Sequence, residues 1–234
     1  TRAMALAYFD YLRKSWSGGF VVSLSGGADS AAVSCLARVM LDLALAELGE
    51  GRLRARLPHL DLPEKTEDWM KTLLFCAYQG TKNSGDVTRN AARAVAEAIG
   101  CDYAEWEVDQ FVEGYENTIE AVIGRSLSWE QDDITRQNIQ ARVRAPGIWM
   151  MANIRNSLLL ATSNRSEAAV GYATMDGDTS GGLSPIAGID KLNLTNYWKV
   201  VYKEKFETEI KLKNEIDDKL RLKSDLHDKI QLIA

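Results

Sequence analysis

Residues 20–30 of the chain read FVVSLSGGADS. The apolar run from Phe20 to Leu24 is typical of a strand buried in a parallel sheet. The Gly26-Gly27 pair lets the backbone turn tightly and approach an anion without a Cβ in the way. Residues 31–48 follow, and their many Ala and Leu residues give them high helix propensity. The stretch therefore predicts a strand, a glycine turn and a helix whose N-terminal N–H groups favour an anion such as a phosphate.

Apolar runs and helical patterns alternate along the rest of the first 190 residues. Buried strands are predicted at 72–78 and 158–161, and alternating residues predict a third strand, nearer an edge, at 104–108. Helices are predicted at 3–14, at 88–99 and at 134–156, the last with an interruption near Pro146-Gly147. Residues 49–68 are predicted to be a polar connection. This order predicts an α/β fold with a doubly wound parallel sheet and helices on both faces.

Two polar segments directly follow predicted strands. Ser25–Ser30 follows the first strand, and Thr162–Glu167 follows the strand at 158–161. Because ligands of parallel sheets bind beyond the carboxyl ends of the strands, we expect both segments at the same rim. Asp29 is unusual in a phosphate loop, unless a cation lies between its carboxylate and the phosphate. The sequence therefore implies magnesium.

Composition limits the class of protein. The chain has 234 residues and a formal net charge of -5, which does not predict a nucleic-acid partner. It contains no apolar run of the roughly 18 residues that suggest a membrane span and no signal-peptide pattern. Its three cysteines, Cys35, Cys76 and Cys101, have the spacing of neither a zinc site nor a disulfide framework. We therefore expect a cytoplasmic protein without a membrane partner.

The character of the sequence changes after Lys191. Residues 202–234 are dense in alternating charges, with apolar residues near helical spacing. We expect a catalytic domain at 1–191 and a charged amphipathic helical tail of unclear role at 192–234.

The SGGADS loop lacks the Gly-Lys-Ser/Thr ending of a Walker loop. It resembles the SGGxDS loop of the ATP pyrophosphatase superfamily, whose members cleave ATP between the α and β phosphates. The loop by itself leaves open NAD, GMP, asparagine and argininosuccinate synthetases, and RNA-thiolating enzymes.

Later blocks narrow the choice. In order, they are QNIQARVR at 137–144, TSNRSE at 162–167, GYAT at 171–174, GD at 177–178, PI at 185–186 and DK at 190–191. Together they resemble the NAD synthetase signature, and TSGGLSPI at 179–186 is more similar to the glutamine-dependent branch. The resemblance covers about residues 1–191. It implies an adenine nucleotide alpha hydrolase-like fold and ATP-dependent amidation of deamido-NAD through an acyl-adenylate, with release of AMP and pyrophosphate.

The resemblance also implies a role for each matching residue. It implies a phosphate loop formed by Ser25, Gly26, Gly27, Asp29 and Ser30. Asp29 and Glu167 match magnesium carboxylates, and Thr162 and Lys191 match ATP contacts. Asp178 matches a carboxylate near the incoming ammonia, so the implied catalytic set is Asp29, Asp178 and Lys191. The implied contacts to deamido-NAD are Asn138, Arg142, Glu167 and Tyr172. Because Arg142 and Arg144 would point to different faces of a helix, we expect at most one to reach the substrate, and we select Arg142.

Two positions depart from the ammonia-dependent branch. Met175 stands where that branch usually carries a substrate-binding lysine, and Gly182 where it often carries an aspartate. Two alternatives remain: another amidotransferase of the superfamily, similar to GMP synthetase, and a nucleotide-binding fragment without turnover. The blocks at 162–167 and 171–178 argue against the first.

The sequence also predicts the nitrogen source. A glutaminase needs an activated nucleophile, and none of the three cysteines has a base or orienting group in a suggestive arrangement. The phosphate loop begins 24 residues from the start of the chain, which leaves no room within it for a glutaminase domain, so we expect the chain to be the synthetase portion of a larger protein whose amidase half precedes it. We expect this chain to use ammonia, derived from glutamine if a separate amidase domain exists. The family resemblance and the apolar stripe at 134–156 further predict a homodimer or a higher homo-oligomer.

Overall fold

A computed structural model of the chain describes residues 2–193, and the residues up to Lys191 form one compact unit. The helices are α1 (Arg2–Ser15), α2 (Ala28–Arg56), α3 (Trp69–Leu73), α4 (Asp86–Ile99), α5 (Asp109–Ile123), α6 (Trp129–Arg142), α7 (Arg144–Ile154) and α8 (Arg165–Val170). The strands are β1 (Phe20–Ser23), β2 (Leu74–Gly80), β3 (Asp102–Glu107) and β4 (Leu158–Leu160). The predicted helical tail within 202–234 lies outside the described residues, and the boundary at 191 stays a prediction.

The four strands form one parallel sheet with the order β3-β2-β1-β4. In β1, Val22 is paired with Cys76 of β2 and with Leu160 of β4. The strand β3 lies at an edge beyond β2, as the sequence predicts. Since β1 is central, the loop after it lies between the loops that follow β2 and β4.

Helices cover both faces of the sheet, which confirms the predicted α/β class. On one face, α1 and α2 pack together, and Tyr8 contacts Phe20 of β1 with ring centroids 5.0 Å apart. On the other face, Ile148 and Ala152 of α7 pack against Val21 and Leu159. Among residues 2–193, no helix is long and apolar enough to cross a membrane.

Several elements differ from the sequence prediction, and among them the short helix α8 was not predicted. The helix α2 continues to Arg56, because the chain resumes helical geometry after a kink at Gly49, where φ is 71°; part of the connection predicted at 49–68 is therefore helical. The strand β2 begins at Leu74, since Trp69–Leu73 form a short helix. The helix α5, at Asp109–Ile123, is absent from the prediction.

The interruption predicted near Pro146-Gly147 lies instead at Val143, which separates α6 from α7. Pro146 is in the first turn of α7, where a residue without an N–H group costs no helical hydrogen bond. The predicted position was wrong because a proline can begin a helix as readily as it ends one.

The glycine-rich loop at 171–188 lies along the free edge of β4. Gly182 N donates to Leu159 O at 2.8 Å, and Ala161 N donates to Leu183 O at 2.8 Å. Leu183 also forms a parallel bridge with Leu160. The backbone of the loop thus extends the sheet beyond β4 over a few residues.

This close approach depends on Gly181. A Cβ at Gly181 would lie 2.5 Å from the Ala161 nitrogen and 3.0 Å from the Leu159 oxygen. Because both are backbone atoms, the Gly181→Ala variant should push the loop away from β4 and lose about 1–3 kcal/mol of stability, the usual effect of overpacking. Urea denaturation followed by circular dichroism measures this loss.

Gly182→Ala is the matched control, since its Cβ would meet only the Leu159 oxygen, at 4.0 Å. It should unfold within about 0.5 kcal/mol of the unsubstituted chain. Equal unfolding free energies for the two variants would show that the loop is not pressed against β4.

Candidate functional site

The loop after β1 is closed by its own serine hydroxyls. Ser25 N donates to Ser30 Oγ at 3.2 Å, and the two hydroxyl oxygens are 3.1 Å apart. Ser30 Oγ also donates to Gly27 O at 3.2 Å. Ser30 is buried and Ser25 is exposed, so Ser30 holds the shape of the loop while Ser25 faces the solvent.

Gly26 fits the loop against α4. Its φ is 80°, and a Cβ there would lie 2.2 Å from the Thr88 carbonyl oxygen. Gly27 is the N-cap of α2, with an extended backbone and no side-chain cap. The first N–H groups of α2 therefore point out of the loop, where helices commonly bind phosphate.

Two carboxylates and a lysine meet beside this loop. Lys191 Nζ donates to Asp29 Oδ2 at 3.1 Å and to Glu167 Oε1 at 3.2 Å. Asp29 is in the first turn of α2, and Glu167 is in the first turn of α8. The prediction that the two polar segments share one rim is thus confirmed.

Local structure fixes each member of the cluster. Asn164 caps α8 by accepting from Glu167 N at 3.0 Å, and Glu167 Oε2 accepts from Asn164 N at 3.3 Å, which together form a capping box. Lys191 N donates to Ser166 Oγ at 3.0 Å. The hydrogen bond to Asp29 raises the pKa of Lys191 above its ordinary value, and the bond to Glu167 acts in the same direction. The lysine is therefore a cation at neutral pH.

The cluster offers oxygen ligands that suit a magnesium ion. Among residues 2–193, no three His, Cys, Asp or Glu side chains are arranged to hold a metal by themselves. However, Asp29 Oδ1 is buried without a hydrogen-bond partner in this part of the chain. Magnesium usually takes one or two carboxylates and completes its shell with water and phosphate oxygens, so Asp29 and Glu167 fit such an ion.

A cleft of about 260 Å³ opens at the same rim. Its wall is formed by residues from the ends of β1, β2 and β4, from α6 and α7, and from the glycine-rich loop; they are Ser23, Ser25, Tyr78, Gln79, Ser84, Thr88, Ala141, Arg144, Ala145, Ile148, Leu159, Leu160, Thr162, Gly177, Asp178 and Ser180. Ser25 and Thr162 connect the cleft to the two segments that carry the carboxylates. The wall combines the apolar side chains of Ile148, Leu159 and Leu160 with hydroxyl and charged groups, which suits a flat organic group next to a charged one.

The glycine-rich loop brings Asp178 into the cleft wall. Thr162 N donates to Asp178 O at 3.3 Å, and Thr174 N donates to Asp178 Oδ2 at 3.4 Å. On the opposite side of the loop, Trp149 Nε1 donates to Ser180 Oγ at 2.8 Å. The carboxylate of Asp178 is thus held by its own loop, and the backbone of that loop is fixed by the contacts of Asp178 O with Thr162 and of Ser180 with Trp149.

The two arginines of the ARVR block have different surroundings. Arg144 lines the cleft, and its Nε donates to Gln79 O at 3.2 Å. Arg142 is exposed, lies outside the cleft wall and donates through Nε to Met175 O at 3.0 Å. Val143 between them keeps helical backbone angles (φ -60°, ψ -19°), so two residues two positions apart face nearly opposite sides, as the helix geometry predicts. The binding role of Arg142 stays a prediction.

Two further predicted contacts lie outside the cleft wall. Asn138 is half-buried on α6, and Tyr172 is 82% exposed after the end of α8. Neither lines the cleft. Their roles toward a substrate also stay predictions.

The sequence analysis did not identify the polar residues of the β2 end. Tyr78 and Thr88 hydroxyls are 3.0 Å apart, and Gln79 Nε2 donates to Ser23 Oγ at 3.2 Å. The signal was present in the polar segment at 79–86, which directly follows a predicted strand. Polar residues that follow β2 are expected at the same rim as those that follow β1 and β4, because the carboxyl ends of parallel strands lie at one edge of the sheet.

Comparison with known proteins gives one consistent family. A family model described as NAD synthase matches residues 2–203, so the similarity extends beyond Lys191, where it was expected to end. The glutamine-dependent NAD(+) synthetase of Oryza sativa subsp. indica is 30% identical over 218 residues, which cover 83% of this chain and 30% of that protein.

Solved structures agree with this result. The glutamine-dependent NAD(+) synthetase of Cytophaga hutchinsonii has a TM-score of 0.82 and 48% identity, and the match covers 87% of this chain and 37% of that one. The NH3-dependent NAD synthetase of Campylobacter jejuni has a TM-score of 0.62 at 21% identity, over 94% of this chain and 83% of that one; this likeness shows the fold alone. The chain therefore spans about a third of the length of its glutamine-dependent relatives.

Proposed function

Because the chain belongs to the NAD synthase family, we propose that it converts the carboxylate of deamido-NAD to an amide, with ATP as the activating substrate and NAD, AMP and pyrophosphate as products. The observation that carries the proposal is the convergence of Asp29, Glu167 and Lys191 beside a phosphate loop. Ser25 and Thr162, from the two segments that carry the carboxylates, line a cleft with Asp178 in its wall. The cluster of two carboxylates and a lysine suits a triphosphate, and the cleft with Asp178 suits the acyl group and its nucleophile.

In the first step, the carboxylate of deamido-NAD attacks the α-phosphorus of ATP. A bond forms from the carboxylate oxygen to phosphorus, and the bond from phosphorus to the β-phosphate oxygen breaks, so pyrophosphate leaves with the electron pair. The N–H groups of the Ser25–Ser30 loop and the Lys191 ammonium stabilise the charge that develops on the leaving group. The protein contributes mainly alignment and screening of charge.

In the second step, ammonia attacks the acyl carbon of the adenylate. A carbon–nitrogen bond forms, the bond from carbon to the phosphate oxygen breaks, and AMP leaves. The added nitrogen then loses a proton, which the Asp178 carboxylate can accept and pass to water. Asp178 also attracts an ammonium ion to the rim before the reaction.

Magnesium would be held by Asp29 and Glu167. Bound there, it would neutralise charge on the pyrophosphate. Lys191 supplies a second positive charge at the same place.

Ammonia is the nitrogen source that these residues support. Cys35 and Cys76 are buried in α2 and β2, and Cys101 is half-buried at the start of β3. None of the three is among the residues of the cleft wall. A glutaminase nucleophile would need access and an activating base, so glutamine-derived ammonia would have to come from a separate amidase domain. We assign the reaction to the cytoplasm, which fits cysteines without a disulfide framework.

We also propose that the chain works as a homodimer or a larger homo-oligomer. The helix α5 presents an apolar stripe to solvent, formed by Phe111, Tyr115, Ile119 and Val122, which are 48%, 53%, 45% and 78% exposed. Ile134, Met150 and Ile154 in the following helices are also exposed. Exposed stripes of this kind are typical of a surface that another protein covers, and a second copy offers the same stripe.

The first prediction from the proposed function concerns the two carboxylates, Asp29 and Glu167. Asp29→Asn and Glu167→Gln should each lower kcat for NAD formation by about 10²–10³, the usual effect of removing one group that stabilises transition-state charge. The release of pyrophosphate, measured with deamido-NAD, ATP and ammonium, gives the rate. Asp68→Asn is the matched control, because Asp68 pairs with Lys71 at 2.8 Å before the start of β2, at the opposite rim. Near-normal turnover in either site variant would rule out the proposed roles.

The second prediction concerns nitrogen. With ammonium chloride as the nitrogen source, the chain should form NAD, and with glutamine as the nitrogen source it should form none. Adding an independent glutaminase should restore NAD formation from glutamine, which controls for inhibition by glutamine itself. Robust NAD formation from glutamine by the chain alone would contradict the proposal.

The third prediction concerns assembly. Multi-angle light scattering at micromolar concentration should give at least twice the 26.0 kDa mass of one chain. Ile119→Glu should shift the mass toward that of a monomer, because a charge in the stripe has to be desolvated on association. Asn117→Glu on the polar side of α5 is the control and should retain the larger mass. A monodisperse monomer for the unsubstituted chain would refute the proposal.

A further inference from the structure

The guanidinium of Arg144 has no carboxylate partner in the part of the chain that the structure describes. Its hydrogen bonds go to two backbone carbonyl oxygens, those of Gln79 and Gln140. Other arginines of the chain behave differently: Arg93, Arg125 and Arg155 each pair with a carboxylate at 2.7–2.8 Å. Neutral carbonyl partners orient the planar guanidinium of Arg144 without neutralising its charge.

Arg144 is also partly withdrawn from water. Burial lowers the pKa of Arg144 from its ordinary value, and the negative charge of Asp178 acts in the opposite direction. A guanidinium remains charged in proteins, so the cleft wall contains a desolvated cation. Such a charge is stabilised when an anion enters and accepts its remaining hydrogen bonds.

The surroundings of Arg144 indicate which anion would enter. Ser25 and Thr162 line the same cleft, whereas Asp29, Glu167 and Lys191 lie outside its wall. If the pyrophosphate end of the nucleotide lies at those three residues, the phosphoryl group that reaches into the cleft is the α-phosphoryl. Asp178 is in the same wall, and among the described residues it forms no salt bridge with Arg144, so neither charge is occupied by the other.

We propose that Arg144 binds the α-phosphoryl group of ATP and keeps that contact in the acyl-adenylate and in AMP. The assignment rests on the proposed function and adds a phosphate contact to it. In the adenylation step, the α-phosphoryl oxygens gain negative charge while the bond to the carboxylate oxygen forms and the bond to pyrophosphate breaks. In the amidation step, the same oxygens take up the charge of the departing AMP. One fixed cation at this position therefore stabilises both transition states.

The contact also explains the separation of Arg144 from Asp178. Ammonia has to approach the acyl carbon on a side that the phosphate does not occupy. A cation that holds the phosphate and an anion that attracts ammonium, both in one wall, orient the acyl carbon between them.

Binding of adenosine and AMP to the full chain tests the proposal without turnover. Isothermal titration calorimetry should show that the unsubstituted chain binds AMP at least about tenfold more tightly than adenosine, since a charged hydrogen bond to phosphate is worth that factor or more. Arg144→Gln should remove this preference and leave the affinity for adenosine unchanged. Arg144→Lys should retain part of it, because lysine keeps the charge and loses the bidentate geometry.

Arg155→Gln is the control for the loss of an arginine. Arg155 pairs with Asp102 at the opposite end of the sheet, and this variant should keep the full preference for AMP. A purely structural role for Arg144 would weaken adenosine and AMP equally, which would overturn the proposal. Full preference for AMP in Arg144→Gln, or no preference in the unsubstituted chain, would also overturn it.

Exchange of labelled pyrophosphate into ATP, with deamido-NAD present and ammonium absent, separates this proposal from the proposed function. We expect Arg144→Gln to lower the exchange rate by about 10²–10³. No exchange by the unsubstituted chain, together with an AMP preference that depends on Arg144, would refute the deamido-NAD reaction and leave the phosphate contact intact. Normal exchange in Arg144→Gln would refute the contact and leave the reaction intact.

Discussion

The parallel pairing of β1 with β4 determines where the functional groups meet. Val22 is paired with Leu160, so the segments that follow the two strands leave the sheet side by side. A shift of this register by one residue would exchange the faces on which the side chains of β4 lie. Leu159 would then leave the cluster that it forms with Val21, Ile148 and Ala152. The apolar packing under α7 therefore fixes the positions of Asp29 and Glu167, although it contacts neither of them.

Much of the fold could be predicted because the buried strands are short apolar runs followed directly by polar residues. The runs ending at Leu24 and Ala161 have this form, and their positions were predicted to within about one residue. The helix α5 was missed for a physical reason: it buries only Val112, and most of its large apolar residues face outward. Periodicity predicts a helix most clearly when its apolar side packs on the core of the same chain.

The two carboxylates of the site were also accessible from the sequence, because topology brings the ends of neighbouring parallel strands together, whereas Lys191 was predicted only from the family resemblance. The choice between Arg142 and Arg144 was not accessible in the same way. The two residues differ by roughly 200° around a helix axis, and Val143 between them keeps helical backbone angles. Which arginine reaches the cleft depends on how the helix packs against the sheet through Ile148 and Ala152, and the spacing of the block does not indicate that packing.

The two cations of the site are held in opposite ways, and this difference fits the two ends of a nucleotide. Lys191 contacts two carboxylates, which would otherwise repel each other, so its charge is largely balanced before any ligand binds. A metal-bound triphosphate would have to compete with the lysine for Asp29 and Glu167. Arg144 contacts carbonyl oxygens, so its charge is available and an incoming phosphoryl group has no ion pair to break there. In the proposed reaction, the site would thus exchange partners at the pyrophosphate end, which leaves. It would keep one fixed partner, the proposed Arg144 contact, at the α-phosphoryl end, which stays on the acyl group until ammonia attacks.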